Sequence, residues 1–246
     1  VTPTDRDRPP ATVGILMLDT RFPRPPGDIG NPATWPFPVR YAVVKGASPD
    51  LVVRRGAEAA LGGFVAAARD LVRAGADGIT TSCGFLALIQ DRLSAAVDVP
   101  VLASSLVQVA WVDAMLPPGR RAGILTISDA DLSPAHLAAA GVPPDTPLGA
   151  IPAGATFRAA ILGDAARFDI DRARAETVAA ARTLQAAHPA LGAIVLECTN
   201  MGPYAADIAQ ATGLPVFSIE TLITWFQAGL RPRRHPAPSA SGPPLA

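Results

Sequence analysis

Two stretches decide the reading of this chain: Ala76-Asp77-Gly78-Ile79-Thr80-Thr81-Ser82-Cys83-Gly84 and Leu191-Gly192-Ala193-Ile194-Val195-Leu196-Glu197-Cys198-Thr199. Each is an apolar run that ends on a cysteine, and these two are the only cysteines among 246 residues. Val99-Pro100-Val101-Leu102 follows the first as Leu214-Pro215-Val216-Phe217 follows the second, with 17 positions from cysteine to proline in both cases. Upstream, Arg121-Ala122-Gly123-Ile124-Leu125 echoes Thr12-Val13-Gly14-Ile15-Leu16. Any α/β chain repeats strand and helix units, but the matched cysteines, prolines and flanking runs go beyond that and imply two halves built alike.

Working outward, short apolar runs alternate with longer amphipathic segments, the pattern of β-α units around parallel strands. Strands are expected near 13–18, 39–45, 77–82 and 99–103 in the first half, and near 122–127, 148–152, 192–197 and 215–218 in the second. Helices fall at about 56–74, 85–96, 105–115, 132–140, 170–187, 202–212 and 220–230. Over 56–74 the residues Ala57, Ala60, Leu61, Phe64, Val65, Ala68, Leu71 and Val72 recur at three- and four-residue steps, and Gly75 can cap the end. The expected fold is α/β with two pseudo-symmetric lobes, each a short, mainly parallel sheet flanked by helices, and the active site in the cleft between them. Lobe 1 spans 11–116, completed by the C-terminal helix 219–231, and lobe 2 spans 117–218. The ends, 1–10 and 232–246, are rich in Pro, Ser and Gly and are expected to be disordered.

Composition narrows the function. Hydrophobic residues make up 49% of the chain, enough for a large core, and the formal net charge is zero. No field draws such a protein to nucleic acid or to an anionic membrane, so a small-molecule partner is expected. The longest apolar stretch, Leu106 to Met115, is broken by Gln108 and Asp113 and is too short to span a bilayer. With no secretory profile at the N-terminus, residence in the cytoplasm and reduced thiols are expected, and a homo-oligomer is compatible with the pattern. Lys45 is the only lysine and lies at the end of an apolar run, so no pyridoxal phosphate is expected. His136, His188 and His235 show no metal-ligand spacing, and neither a dinucleotide fingerprint nor a phosphate loop is present. No metal and no cofactor are therefore expected.

Each cysteine stands where a strand ends and a helix begins, the edge at which open α/β sheets bind ligands. A helix N-terminus offers unpaired N–H groups and partial positive charge, which lower a thiol's pKa and hold a carboxylate. Cys83 and Cys198 are thus candidate bases on opposite faces of a substrate, and modest tuning from the ordinary thiol value would serve. Thr81, Ser82, Gly84, Thr199 and Asn200 beside them, with Thr126 at the end of the strand 122–127, are candidate substrate-binding residues; the hydroxyls and amide also suit simple helix capping. The segment Arg21 to Pro38 is long enough for a lid or for an ordered surface loop.

This constellation resembles the aspartate/glutamate/hydantoin racemase superfamily, on the strength of Thr81-Ser82-Cys83-Gly84 paired with Glu197-Cys198-Thr199-Asn200. The resemblance spans most of 11–231 and implies two pseudo-symmetric lobes closing on the substrate, with the cysteines removing and returning a proton next to a carbonyl. It also implies that Asp19, in Asp19-Thr20 after the first strand, binds an amino group, and it adds Asn31 of the following loop to the binding set. Gly84-Phe85 stands where acidic-amino-acid racemases usually carry Asn-Thr, closer to the hydantoin enzymes, and Asn200 replaces an ionisable residue. The expectation is a cofactor-independent racemase or epimerase of an amino acid or its derivative, taking a carboxylate, amino-acid or hydantoin-like substrate. The alternatives are a maleate-type cis-trans isomerase, an arylmalonate-type decarboxylase, and a two-lobed binding protein. Arylmalonate decarboxylase resembles the chain in its Thr-Ser pair but has glycine at the first cysteine position, so Cys83 argues against it.

Overall fold

The computed structural model describes residues 9–232, and the disorder expected of the two ends falls almost wholly outside them. Two four-stranded sheets carry the fold. In the first, β1 (Val13–Leu18), β2 (Val39–Val44), β3 (Gly78–Thr81) and β4 (Val101–Leu102) lie in the order β2-β1-β3-β4. In the second, β5 (Arg121–Thr126), β6 (Leu148–Ala150), β7 (Leu191–Leu196) and β8 (Val216–Phe217) lie in the order β6-β5-β7-β8. Every pairing in both sheets is parallel. The same strand order twice, at the spacing of the sequence echoes, is the pseudo-symmetric α/β architecture that the two cysteine stretches imply.

Strand β1 shows why an unbroken apolar run is needed at the centre of such a sheet. Leu16 and Leu18 point into the large core shared with Phe64, Ala68 and Leu71 of α1 (Leu61–Arg73). Val13, Ile15 and Met17 point the other way, onto Ile219, Leu222 and Ile223 of α8 (Ile219–Leu230) and onto Ile29 and Trp35. Both faces are covered, so both alternating sets must be apolar. Gly78 of β3 lies beneath Phe226 and Leu230, so a side chain there would collide with α8.

The remaining helices are α2 (Gln90–Ser94), α3 (Gln108–Met115), α4 (Pro134–Ala139), α5 (Thr156–Leu162), α6 (Ile170–Ala187) and α7 (Ala205–Thr212). The long helix α6 has the limits its periodicity predicts. Four of the other expected helices, those leading to α1, α2, α3 and α7, open on tighter turns, whereas α4 and α8 start directly from capping boxes at Ser133 and Ser218. Residues Gly84–Ile89 and Thr199–Tyr204, directly after the cysteines, are 3₁₀ helices that lead into α2 and α7. Pro203 has no N–H to bond the Thr199 carbonyl, so the α-helical ladder begins only beyond it. Residues Ala57–Ala60 likewise precede α1 as a 3₁₀ turn, after a π-helical turn over Asp50–Arg55. Helix α5 has no expected counterpart, because seven residues are too few to declare a helical period.

The segment 21–38 is ordered and rooted in the core. Trp35 donates its indole N–H to the Ile29 carbonyl at 3.1 Å, and both side chains are buried. At Gly27 the backbone has φ +94° and touches Gly202 and Pro203. A Cβ on Gly202 would strike the Gly27 carbonyl oxygen, so two glycines let this segment lie directly on the second cysteine's turn. Gly202→Ala should therefore destabilise the protein by about 1–3 kcal/mol, the usual range for overpacking. Urea unfolding checks this, and Gly213→Ala, with open space around its Cβ but φ +68°, separates steric from backbone strain.

Candidate active site

The cleft between the sheets is built from the ends of β3 and β7. Cys83 follows β3 and Cys198 follows β7, both in extended conformation and each leading into its 3₁₀ turn. Backbone equivalence is close. Ser82 N–H donates to the Leu16 carbonyl at 2.9 Å, and Glu197 N–H donates to the Leu125 carbonyl at 3.0 Å, so the residue before each cysteine is held by the first strand of its own half. Both thiols are free and line one cleft, at 8% and 7% exposure.

That cleft gathers Ser82, Gly84, Thr199 and Asn200 with the two cysteines. It also collects Phe22, Arg24, Phe85, Ile127, Ile161 and Glu197. Its free volume is about 20 Å³, enough for one water and too little for an organic substrate, so ligand entry requires movement. Across its mouth Arg21 of the first half pairs with Asp164 of the second, Nε to Oδ2 at 3.1 Å.

Several expected binding residues turn out to hold the scaffold. Thr81 Oγ1 donates to the Ala103 carbonyl at 2.6 Å, and Thr199 Oγ1 donates across the cleft floor to the Ser82 carbonyl at 2.7 Å. Ser82 Oγ accepts from the Leu18 N–H at 2.9 Å and keeps its own proton available. Thr126 lies behind the cleft wall and donates to Glu197 Oε2 at 2.8 Å. Asn200 donates to Asp28 Oδ2 at 2.7 Å, and its Oδ1 is 3.6 Å from the Cys198 sulfur. Asp28 is buried and ion-paired with Arg24 at 2.8 Å.

Asp19 and Asn31 are not on the cleft wall. Asp19 accepts from the Gly46 N–H at 3.1 Å and pairs with Lys45 at 3.4 Å, just beyond the carboxyl ends of β1 and β2. Asn31 caps the turn Pro32–Thr34 and donates to the Arg24 carbonyl at 2.8 Å.

The electrostatics also differ from the expectation of acidified thiols. Burial, and next the charge of Glu197, push the Cys83 thiol up to about 12, against the smaller opposing pull of the Phe85 and Leu86 N–H groups. Cys198 is raised as well, by burial first and by Glu197 second. Partial charge at a turn of helix is thus outweighed by desolvation. Glu197 itself is 1% exposed and raised to about 7 by burial, with the Thr126 hydroxyl and the Ile127 N–H opposing that rise. Its Oε1 lies against Gly84, where a Cβ would occupy the same space. The sequence contained this residue in its second motif without a role; an acid directly before a candidate thiol at a strand end was the signal available.

The fold is that of the Asp/Glu/hydantoin racemase superfamily. A glycine-to-cysteine variant of arylmalonate decarboxylase superposes with a TM-score of 0.61 at 19% identity, covering 89% of this chain and 92% of that one. Allantoin racemase from Klebsiella pneumoniae gives 0.59 at 18% identity over 89% and 87%. No family model matches the chain. Among curated proteins, dimethylsulfoniopropionate lyase 7 of Emiliania huxleyi (strain CCMP1516) is 31% identical over 241 residues, 89% of this chain and 67% of the relative. The dimethylsulfoniopropionate lyase of Durusdinium sp. clade D is 26% identical over 227 residues, 89% of this chain and 75% of the relative. The chain belongs to the dimethylsulfoniopropionate lyase family, a family of enzymes. The expected racemisation of an amino acid is overturned by these lyase relatives. The physical reason is that two thiols at matching strand ends are a feature of the fold and do not by themselves specify which reaction follows. No helix among the described residues is long and apolar enough to cross a membrane.

Two outcomes follow from the raised pKa values. Alkylation of the folded protein by iodoacetamide at pH 7 should be slower than that of free cysteine and should accelerate as pH rises beyond 9, read by mass spectrometry of trapped thiols. Glu197 binds a proton more tightly folded than unfolded, so its contribution to stability is present below its ordinary value of 4.5 and is lost as pH rises to about 7. Wild-type stability should fall over that window by a few kcal/mol, and Glu197→Gln should remove that fall. Urea unfolding at pH 4.5, 6 and 8 checks the sign.

Proposed function

We propose that this protein is a lyase acting on dimethylsulfoniopropionate or a close β-sulfonium carboxylate, releasing dimethyl sulfide and acrylate. The observation that carries the reading is similarity along 89% of the chain to lyases of that substrate, combined with two thiols on one cleft. The reaction needs one proton removed from the carbon beside the carboxylate. A cysteine thiolate takes it, the C–H electron pair becomes the C=C bond, and the C–S pair leaves with sulfur as neutral dimethyl sulfide. A neutral leaving group lessens the carbanion character at the transition state, which suits a base no stronger than a thiolate.

The second cysteine remains a thiol in this reading and donates a hydrogen bond toward the substrate carboxylate, where negative charge grows during proton removal. The Ser82 hydroxyl, with its proton uncommitted, can donate there too. Burial first and the charge of Glu197 second favour the thiol form of both cysteines, so in this reading the thiolate forms with substrate in place.

The test is headspace gas chromatography of dimethyl sulfide after addition of dimethylsulfoniopropionate. Cys83→Ser and Cys198→Ser should each lower the rate by at least about 100-fold, the lower end of what a positioned acid or base contributes. The double variant should be little worse than the poorer single one, since the two groups act as a unit. Absence of dimethyl sulfide from the wild-type protein, or near wild-type release by either serine variant, would sink the two-thiol lyase.

A further inference from the structure

The described part of the chain holds two conspicuous buried carboxylates beside the cleft, and they are treated differently. Asp28 has a guanidinium at 2.8 Å from Arg24 and the Asn200 amide at 2.7 Å. Glu197 has the Thr126 hydroxyl at 2.8 Å and a long contact to the Ile127 N–H at 3.4 Å, both on Oε2. Among the described residues no lysine or arginine forms an ion pair with it. Its Oε1 accepts no protein hydrogen bond and lies on the cleft side, against the bare Cα of Gly84. A buried carboxylate without a counter-charge is costly, and a site that retains one is poised to receive a cation.

The cleft that Glu197 lines describes that cation. Leu18, Phe22, Val53, Phe85, Ile127 and Leu162 offer methyl and aromatic surface, while its polar side chains are few: Arg24 and Asn200 are engaged with Asp28, Thr199 with the Ser82 carbonyl, and Ser82 remains. A primary ammonium brings three N–H donors and would leave some of them unmet here. A methylated onium brings none; it requires only a negative field and apolar contact, which this wall supplies. We infer that Glu197 is the counter-ion for a methylated onium group on the substrate, so that the cleft selects a small onium carboxylate over its uncharged isostere. The identity of that onium as a sulfonium rests on the lyase reading; the charge preference rests on Glu197 and its surroundings.

The assignment links recognition to chemistry. Burial raises both thiols most and the charge of Glu197 adds to it; a cation seated against Glu197 cancels that second part, so the substrate itself favours thiolate formation. When the C–S bond breaks, sulfur takes the electron pair and becomes neutral. Dimethyl sulfide then has no attraction to Glu197 and can leave.

Isothermal titration calorimetry of the full chain with two unreactive probes tests the assignment: 3-(trimethylammonio)propionate and 4,4-dimethylpentanoate, which differ in the charge of one central atom. Wild-type protein should bind the ammonium probe at least about tenfold more tightly than the neutral one, and Glu197→Gln should abolish the preference by weakening the ammonium probe alone. Circular dichroism verifies the fold of the variant, and Glu197→Ser, which makes no steric demand on Gly84, gives a second route to the same comparison. Equal binding of the two probes by wild type overturns the assignment without any variant. So does a preference that survives both substitutions. Dimethyl sulfide release is scored separately: preference lost in the variants with no release by wild type keeps the counter-ion and refutes the lyase, whereas full release with a surviving preference does the reverse.

Discussion

The packing of the Glu197 carboxylate against Gly84, across the seam between the two halves, is the constraint on which the site depends. It buries an acid at a place where only glycine leaves room. Thr126 holds the far oxygen, so the near one cannot swing out of the cleft wall. Burial raises this acid and both thiols, and the acid's charge raises the thiols further, so the charge states of the three groups are linked.

A duplicated fold brings these groups together because parallel sheets end their strands on one edge, and two such edges facing one another make a cleft with polar backbone on both sides. The seam is held by side chains that satisfy strand-end carbonyls of the other half. Thr199 donates to Ser82, and Ser105 donates to Leu196 and Glu197 at 2.7 and 2.9 Å. The duplication is exact enough in backbone to equate Ser82 with Glu197, yet the side chains differ. One half presents a hydroxyl and the other an acid, so the two sides of the cleft carry different charge.

Much of the architecture was legible. Apolar runs long enough to be buried on two faces mark β1, β3, β5 and β7, and the cysteine-to-proline spacing marks the repeat. Sequence adjacency was a weaker guide to the site. It named Ser82, Gly84, Thr199 and Asn200, which the structure places on the cleft with the thiols because each lies within two residues of a cysteine at a strand end. It also named Asp19 and Asn31, which lie off the cleft lining, engaged with Lys45 and with the Arg24 carbonyl. It also read hydroxyls as substrate ligands where Thr81 and Thr199 hold backbone carbonyls. The racemase expectation had the same origin, since the cysteine motifs mark the fold and are silent on the reaction.

Periodicity, turn residues and the position of each cysteine at the end of an apolar run are local properties, and they determined the two-sheet architecture and the pairing of Cys83 with Cys198. The charge state of those thiols, the burial of Glu197 beneath Gly84, and the anchoring of Asp28 by Arg24 and Asn200 depend on groups up to 172 residues apart in the chain. Desolvation is set by what surrounds a group in space, so these features were decided only when the two halves closed on one another.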